Sequence, residues 1–193
     1  MGLISMEKPG IQRIEQRYLD IQTNNVPIAF VRSSNGISKT RWLEKIVQEC
    51  KMGRGRESSN ESVLLIEHRR SLVQSASERL ELTSYLNYFS NTNSLGFSDV
   101  EIYNGPTNHY AICVDSLVKQ LSPEHHKYDV VIIDEVEQIP SHLTGSTIKD
   151  KRRETFLYFK HYLDQIKKLL VLDADLNELM VNVLYDLISD RKK

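Results

Sequence analysis

At 193 residues with a formal net charge of −1, the chain is long enough for one domain with a sizeable core. Its charge gives no overall field that would draw it to nucleic acid or to a membrane, so any such contact must come from local patches. Apolar residues at 40% and charged residues at 26% are those of a globular protein and exclude a disordered or fibrous chain. Cys50 and Cys113 lie far apart with no C-x-x-C spacing, which points to reduced, buried thiols and away from a disulfide or metal site. The opening Met1-Gly2-Leu3-Ile4-Ser5-Met6 has no basic region followed by a long apolar core, and Met6 breaks the myristoylation pattern. With no apolar run of membrane-spanning length, the expectation is no membrane and a cytoplasmic location, or a nuclear one for a viral or eukaryotic source.

In chain order, Ile11, Ile14, Tyr18 and Ile21 have helical spacing and predict an amphipathic N-terminal helix over 10–22, ahead of a core over 26–190. Val26 to Val31 reads as the first strand. Trp42, Leu43, Ile46 and Val47 mark the helix after it, with Trp42 in the core. Lys51 to Glu61 is a Gly/Arg/Ser/Asn loop. Ser62 to Glu67 is a second buried strand, followed by His68-Arg69-Arg70-Ser71-Leu72 and a helix to about Leu86. Val100 to Tyr103 and Tyr110 to Val114 are further strands, and His125 and His126 fall in a polar surface link. Val130 to Ile133 is an uninterrupted apolar run, all four residues β-branched, of the kind buried on both faces of a parallel sheet. Val136 to Leu143 predicts a short helix, Arg152 to Ile166 a longer one, Lys168 to Leu172 a last strand and Leu176 to Ile188 a last helix. Strands alternating with helices imply right-handed βαβ units, and hence a central parallel sheet between two helical layers.

Two stretches carry chemistry. Arg32-Ser33-Ser34-Asn35-Gly36-Ile37-Ser38-Lys39-Thr40 follows a strand and opens a helix, the layout of a phosphate-binding loop. Backbone N–H groups and the helix start would face phosphate, Lys39 would reach the outer phosphates and Thr40 would ligate Mg²⁺. The match to G-x-x-x-x-G-K-[ST] is incomplete, because Ser33 and Ser38 stand at the two glycine positions and Gly36 is the only glycine of the turn. The plain alternative is a polar turn with a Ser or Asn cap. The second stretch ends the central strand on Asp134-Glu135, beyond the carboxyl end of a strand, where ligands of open parallel sheets sit. Asp134 there would hold Mg²⁺ and Glu135 would orient or deprotonate an attacking water. Their alternative is a pair of solvated carboxylates at a helix start.

Taken together, strand–SSNGISKT–helix, LLIEHRRSL, AICVDSL, VVIIDEVEQ and LLVLDADL resemble the first RecA-like motor domain of helicase superfamily two. The likeness is to the origin-of-replication binding helicases of herpesviruses and to related plasmid replication proteins of cyanobacteria. His142-Leu143, Ser146-Thr147 and the LDADL stretch are its most distinctive points, and it runs from about Val26 to Leu184. The resemblance implies an ATP- and Mg²⁺-dependent motor acting on DNA, single-stranded or at an origin. Ser33, Gly36, Ser38, Lys39 and Thr40 would bind nucleotide, with Thr40 and Asp134 on Mg²⁺ and Asp134-Glu135 as the hydrolytic box. Arg69, Arg70 and Ser71, with Ser116, would touch the nucleic-acid backbone. Asp173-Ala174-Asp175 would couple hydrolysis to strand movement. The family's second RecA-like domain, with its arginine finger, has no counterpart in this sequence. Arg191 in the tail is a poor substitute, so the expectation is one motor domain over 1–193 that needs a second domain or subunit.

Two rivals follow from the same residues. The eroded loop would suit a RecA-like scaffold that binds DNA or protein without hydrolysis. A small phosphate-loop kinase would need an arginine lid and an acceptor pocket, which the sequence does not offer. The basic run Lys149, Lys151, Arg152 and Arg153 would suit either a nucleic-acid track or a solvated face.

Overall fold

The computed structural model describes residues 27–32, 39–52, 60–86 and 106–189. The expected helix over 10–22, the loop residues Ser33 to Ser38 and the strand Val100 to Tyr103 lie outside the described residues.

Six strands pair in parallel throughout: β1 (Ile28–Arg32), β2 (Val63–Glu67), β3 (Thr83–Ser84), β4 (His109–Cys113), β5 (Val130–Asp134) and β6 (Lys168–Asp173), in the order β1-β6-β5-β2-β4-β3. Helices α1 (Lys39–Met52), α2 (Arg70–Leu80), α3 (Leu117–Gln120), α4 (Ile139–Thr144), α5 (Arg152–Gln165) and α6 (Glu178–Ser189) connect or follow them. α1 packs with α2, while α3, α4 and α6 gather around α5. The chain moves one way along the sheet from β1 to β2 and the other way from β4 through β5 to β6. Right-handed crossovers therefore put these two helix groups on opposite faces. The result is the three-layer, RecA-like α/β sandwich that the alternation of strands and helices predicts.

The core is the sheet itself. Val63 to Ile66, Val130 to Ile133 and Leu169 to Leu172 are wholly inaccessible, as helices on both faces require. Leu65, Ile132 and Leu170 lie in register across the three central strands. At the amino edge, Asp129 ties them together: its carboxylate accepts from Ser62 N (2.9 Å) and Ser62 Oγ (2.8 Å) and pairs with Lys167 Nζ at 2.7 Å.

The helix expected to reach about Leu86 stops at Leu80. Glu81 turns left-handed (φ 53°, ψ 42°), and its N–H returns to the Ser77 carbonyl. Lys51 of α1 donates to the carbonyls of Leu80 (3.0 Å) and Glu81 (2.8 Å), so a cation from the neighbouring helix closes this end. The chain then drops into β3, and Tyr85 N donates to Ala111 O at 3.2 Å. As expected, Trp42 and both cysteines are buried, and His125 and His126 fold their rings onto Ser122 in the link before β5. Arg152 of the basic run is structural, donating to the carbonyls of Leu143 (3.0 Å) and Thr144 (2.7 Å) at the end of α4.

Candidate functional site at the carboxyl edge of the sheet

The strand order brings the carboxyl ends of β1, β6, β5, β2 and β4 to one edge, and nearly every residue singled out from the sequence lies there. Lys39 opens α1 just beyond β1, and Asp134 ends β5, two strands away. Lys39 Nζ nevertheless sits 2.9 Å from Asp134 Oδ1, with the two side chains only 14% and 20% exposed. Thr40 follows, half-buried. Asp134 Oδ1 also accepts from Glu135 N at 3.0 Å. Ser33, Gly36 and Ser38 fall outside the described residues.

Glu135 is left-handed (φ 52°, ψ 50°), one of two non-glycine residues at positive φ among the described residues. That conformation costs a residue with a Cβ about 1–2 kcal/mol, and such strain concentrates at functional positions. It breaks the strand abruptly, so that Asp134 faces Lys39 while Glu135 faces β2. There its Oε2 lies 3.9 Å from His68 Nδ1. His68 is buried, and neither ring nitrogen has a hydrogen-bond partner among the described residues. Burial pushes its imidazole below the ordinary value, with the Glu135 charge opposing, so the ring is neutral at physiological pH.

Glu67 belongs to the same cluster. It is 2% exposed, and its Oε2 has no hydrogen-bond partner among the described residues. Burial first, then the charges of Asp134 and Glu135, push its carboxyl well above the usual range against the pull of Lys39. The signal for Glu67 in the sequence is a carboxylate closing an all-apolar strand run, which by itself says only that the strand has ended.

Between β5 and β6 the ties are explicit. Asp173, 5% exposed, accepts from Glu137 N (2.9 Å) and Asp175 N (2.8 Å). Glu137 in turn accepts from Asn177 N (2.8 Å) and Asn177 Nδ2 (2.9 Å), and Asn177 Oδ1 caps Met180 N at 2.9 Å. The turn after Asp134-Glu135 is thus bonded to the exit of β6 and to the start of α6. Within Asp173-Ala174-Asp175, the Asp173 carboxylate makes this link, and Asp175 joins through its backbone. Glu137 lies within the VVIIDEVEQ stretch, where the resemblance assigns it no role, and Asn177 has no motif to announce it.

Of the candidate nucleic-acid residues, Arg69, Arg70 and Ser71 are exposed at the start of α2, on the same edge. Ser116, after β4, is 7% exposed and donates to Asp115 Oδ1 at 3.2 Å.

This is a RecA-like α/β domain with a lysine–aspartate pair and a strained glutamate at the carboxyl edge of its sheet. A sequence model of the family described as origin of replication binding protein matches residues 12–192, and the chain belongs to that family. An uncharacterised protein of Picosynechococcus sp. is 31% identical over 192 residues, covering 91% of this chain and 17% of the relative. A protein of Acanthamoeba polyphaga mimivirus named for replication-origin binding is 28% identical over 185 residues, covering 91% and 21%. A second mimivirus protein, named as a helicase, is 27% identical over 157 residues, covering 76% and 13%. The chain therefore spans about a fifth or less of these relatives. A solved C-terminal domain of a protein described as a DNA helicase from Lactobacillus plantarum is 15% identical, with a TM-score of 0.38 over 83% of this chain and 81% of that one. That likeness is too low to carry an argument, and the fold rests on the sheet order above. Among the described residues, no helix is long and apolar enough to cross a membrane.

Proposed function

We propose that this chain is the nucleotide-binding motor domain of a replication helicase of the origin-binding kind, acting on DNA together with a second RecA-like domain or subunit. The observation that carries the reading is the 2.9 Å pair between Lys39 and Asp134 across the intervening β6. A lysine at a helix start and an aspartate at a strand end are drawn to one point, where a nucleotide phosphate and Mg²⁺ would separate and satisfy them. The donors suit the groups: Thr40 and Asp134 offer the hard oxygens Mg²⁺ prefers, and Lys39 offers a cation to phosphate. Bound ATP–Mg²⁺ would supply the phosphoryl group and the charge neutralisation that its hydrolysis needs. Glu135, turned away from Lys39, is free to orient a water. The ties from Glu137 through Asp173 and Asn177 give a path by which a shift at Glu135 would reach β6 and α6. Arg69 and Arg70, exposed on the same edge, are suited to backbone phosphates.

Lys39→Ala is expected to abolish ATP binding measured by calorimetry. Glu135→Gln is expected to leave binding intact and to slow turnover roughly a hundred- to ten-thousandfold. ATP affinity retained in Lys39→Ala contradicts the reading.

Ser33 and Ser38 in place of the two glycines favour a second reading, in which the domain is a non-hydrolysing scaffold for DNA or protein. DNA binding indifferent to nucleotide, in a chain that binds no ATP, would support it.

A further inference from the structure

The sheet order β5-β2-β4 brings the exits of β4 and β5 together over the end of β2. Three side chains with no metal-ligand spacing along the chain meet there. Cys113 ends β4, Asp115 follows in the next turn, and His142 lies on α4. One potential ligand atom from each, sulfur, oxygen and nitrogen, falls within 4.8 Å of the other two. We propose that Cys113, Asp115 and His142 form a site for a zinc-type divalent ion, with water as the fourth ligand, pinning α4 to the exit of β4.

Three observations support it. His142 Nε2 is buried without a hydrogen-bond partner among the described residues. It faces Asp115 Oδ2 at 3.7 Å, too long for a hydrogen bond. Two donors at ~2.0–2.1 Å on one tetrahedral ion stand about 3.3 Å apart, so a small closure of the gap satisfies both. Secondly, Asp115 is already oriented. Ser116 Oγ holds Oδ1 at 3.2 Å and leaves Oδ2 to His142, the outer bond that metal-ligating carboxylates commonly have. Thirdly, the mixed thiol, carboxylate and imidazole set is borderline-soft and matches zinc rather than Mg²⁺. His68 lies beside the cluster, its ring meeting that of His142 edge-on at 6.5 Å, but it points its Nδ1 toward Glu135 and is not one of the ligands.

Burial and the neighbouring Asp115 carboxylate push the Cys113 thiol up to about 12. Without an ion the sulfur stays protonated, and binding would release that proton to solvent and leave a thiolate on the metal. The site is separate from Lys39, Thr40 and Asp134, so it stands or falls independently of ATP binding.

The test is cobalt(II) titration of the chelator-treated full chain, followed by displacement with Zn²⁺. A thiolate-to-cobalt charge-transfer band with tetrahedral visible bands is expected at one equivalent. It should persist in Cys50→Ser and vanish in Cys113→Ser. Thermal denaturation supplies a second readout: Zn²⁺ should raise the midpoint of the wild type and Cys50→Ser, and do so far less in Asp115→Asn and His142→Gln. Ser116→Ala, which releases Asp115, should weaken Zn²⁺ binding roughly ten- to a hundredfold. No thiolate band in the wild type, a band surviving Cys113→Ser, or an equal Zn²⁺ shift in all variants would overturn the site. Should Cys113→Ser fail to fold, the Asp115→Asn and His142→Gln shifts decide it.

Discussion

Glu67, Asp134 and Glu135 crowd one corner of the sheet, and their environments separate them. Asp134 has Lys39 at 2.9 Å, Glu135 is 41% exposed, and Glu67 is enclosed with an unpartnered oxygen. Burial holds the Glu67 carboxyl protonated well above its unfolded value of roughly 4.3. A folded-state value above the unfolded one gives stability that is complete below the unfolded value and is lost as pH rises through the folded one. Glu67→Gln removes that titration while keeping the shape. Its thermal midpoint should match the wild type near the unfolded carboxylate value and exceed it as pH rises. A variant less stable than wild type at neutral pH would show that the Glu67 charge is held by the site. None of this is legible from the sequence, where Glu67 reads as a strand end. Lys39, Asp134 and Glu135 are legible because their spacing and order match a motif that needs those atoms. The left-handed backbone at Glu135 is not, since glutamate does not advertise that conformation as glycine would.

At the level of elements, the apolar runs place β1, β2, β4, β5 and β6 to within about two residues. Each is a continuous hydrophobic stretch that only burial on both faces explains. β3 is missed for two physical reasons. It has two residues and no apolar run of its own, and Leu80, Leu82, Tyr85 and Leu86 keep an apolar density that a longer helix could also bury. The stop at Glu81 comes from Lys51, 30 residues away in sequence, which no local pattern reveals. The junction of the β5 turn with α6 is likewise made by a partner distant in sequence. Asn177→Ala removes the cap on Met180 and the side-chain donor to Glu137 while keeping the backbone donor, and should cost about 1–2 kcal/mol in urea unfolding. Paired with Glu137→Ala in a double-mutant cycle, it should show coupling of at least about 0.5 kcal/mol. Strict additivity would mean that the two residues do not communicate.

For the whole molecule, alternating strands and helices settle the fold class, and the sheet order then decides which residues meet. Cysteine spacing argues against a metal site because it counts along the chain, whereas Cys113 and His142 converge only after β4 and β5 close on either side of β2. The same order sets Arg69 and Arg70 on the edge that carries Lys39 and Asp134. With a net charge of −1, any DNA binding must come from such a local patch. Arg69→Ala with Arg70→Ala should weaken binding to all DNA sequences alike and lower the slope of log affinity against log salt by up to about two. Loss of binding to one sequence alone would assign these arginines to base recognition.

The motor reading requires that Lys39 and Asp134 meet in order to share a nucleotide. Calorimetric titration of the purified chain with ATP and Mg²⁺, beside the Lys39→Ala variant, tests it most directly. Saturable binding to the wild type and none to the variant is the expected result. Equal binding to both, or no binding to either at millimolar ATP, would reduce the 2.9 Å contact to an ordinary ion pair closing the sheet edge.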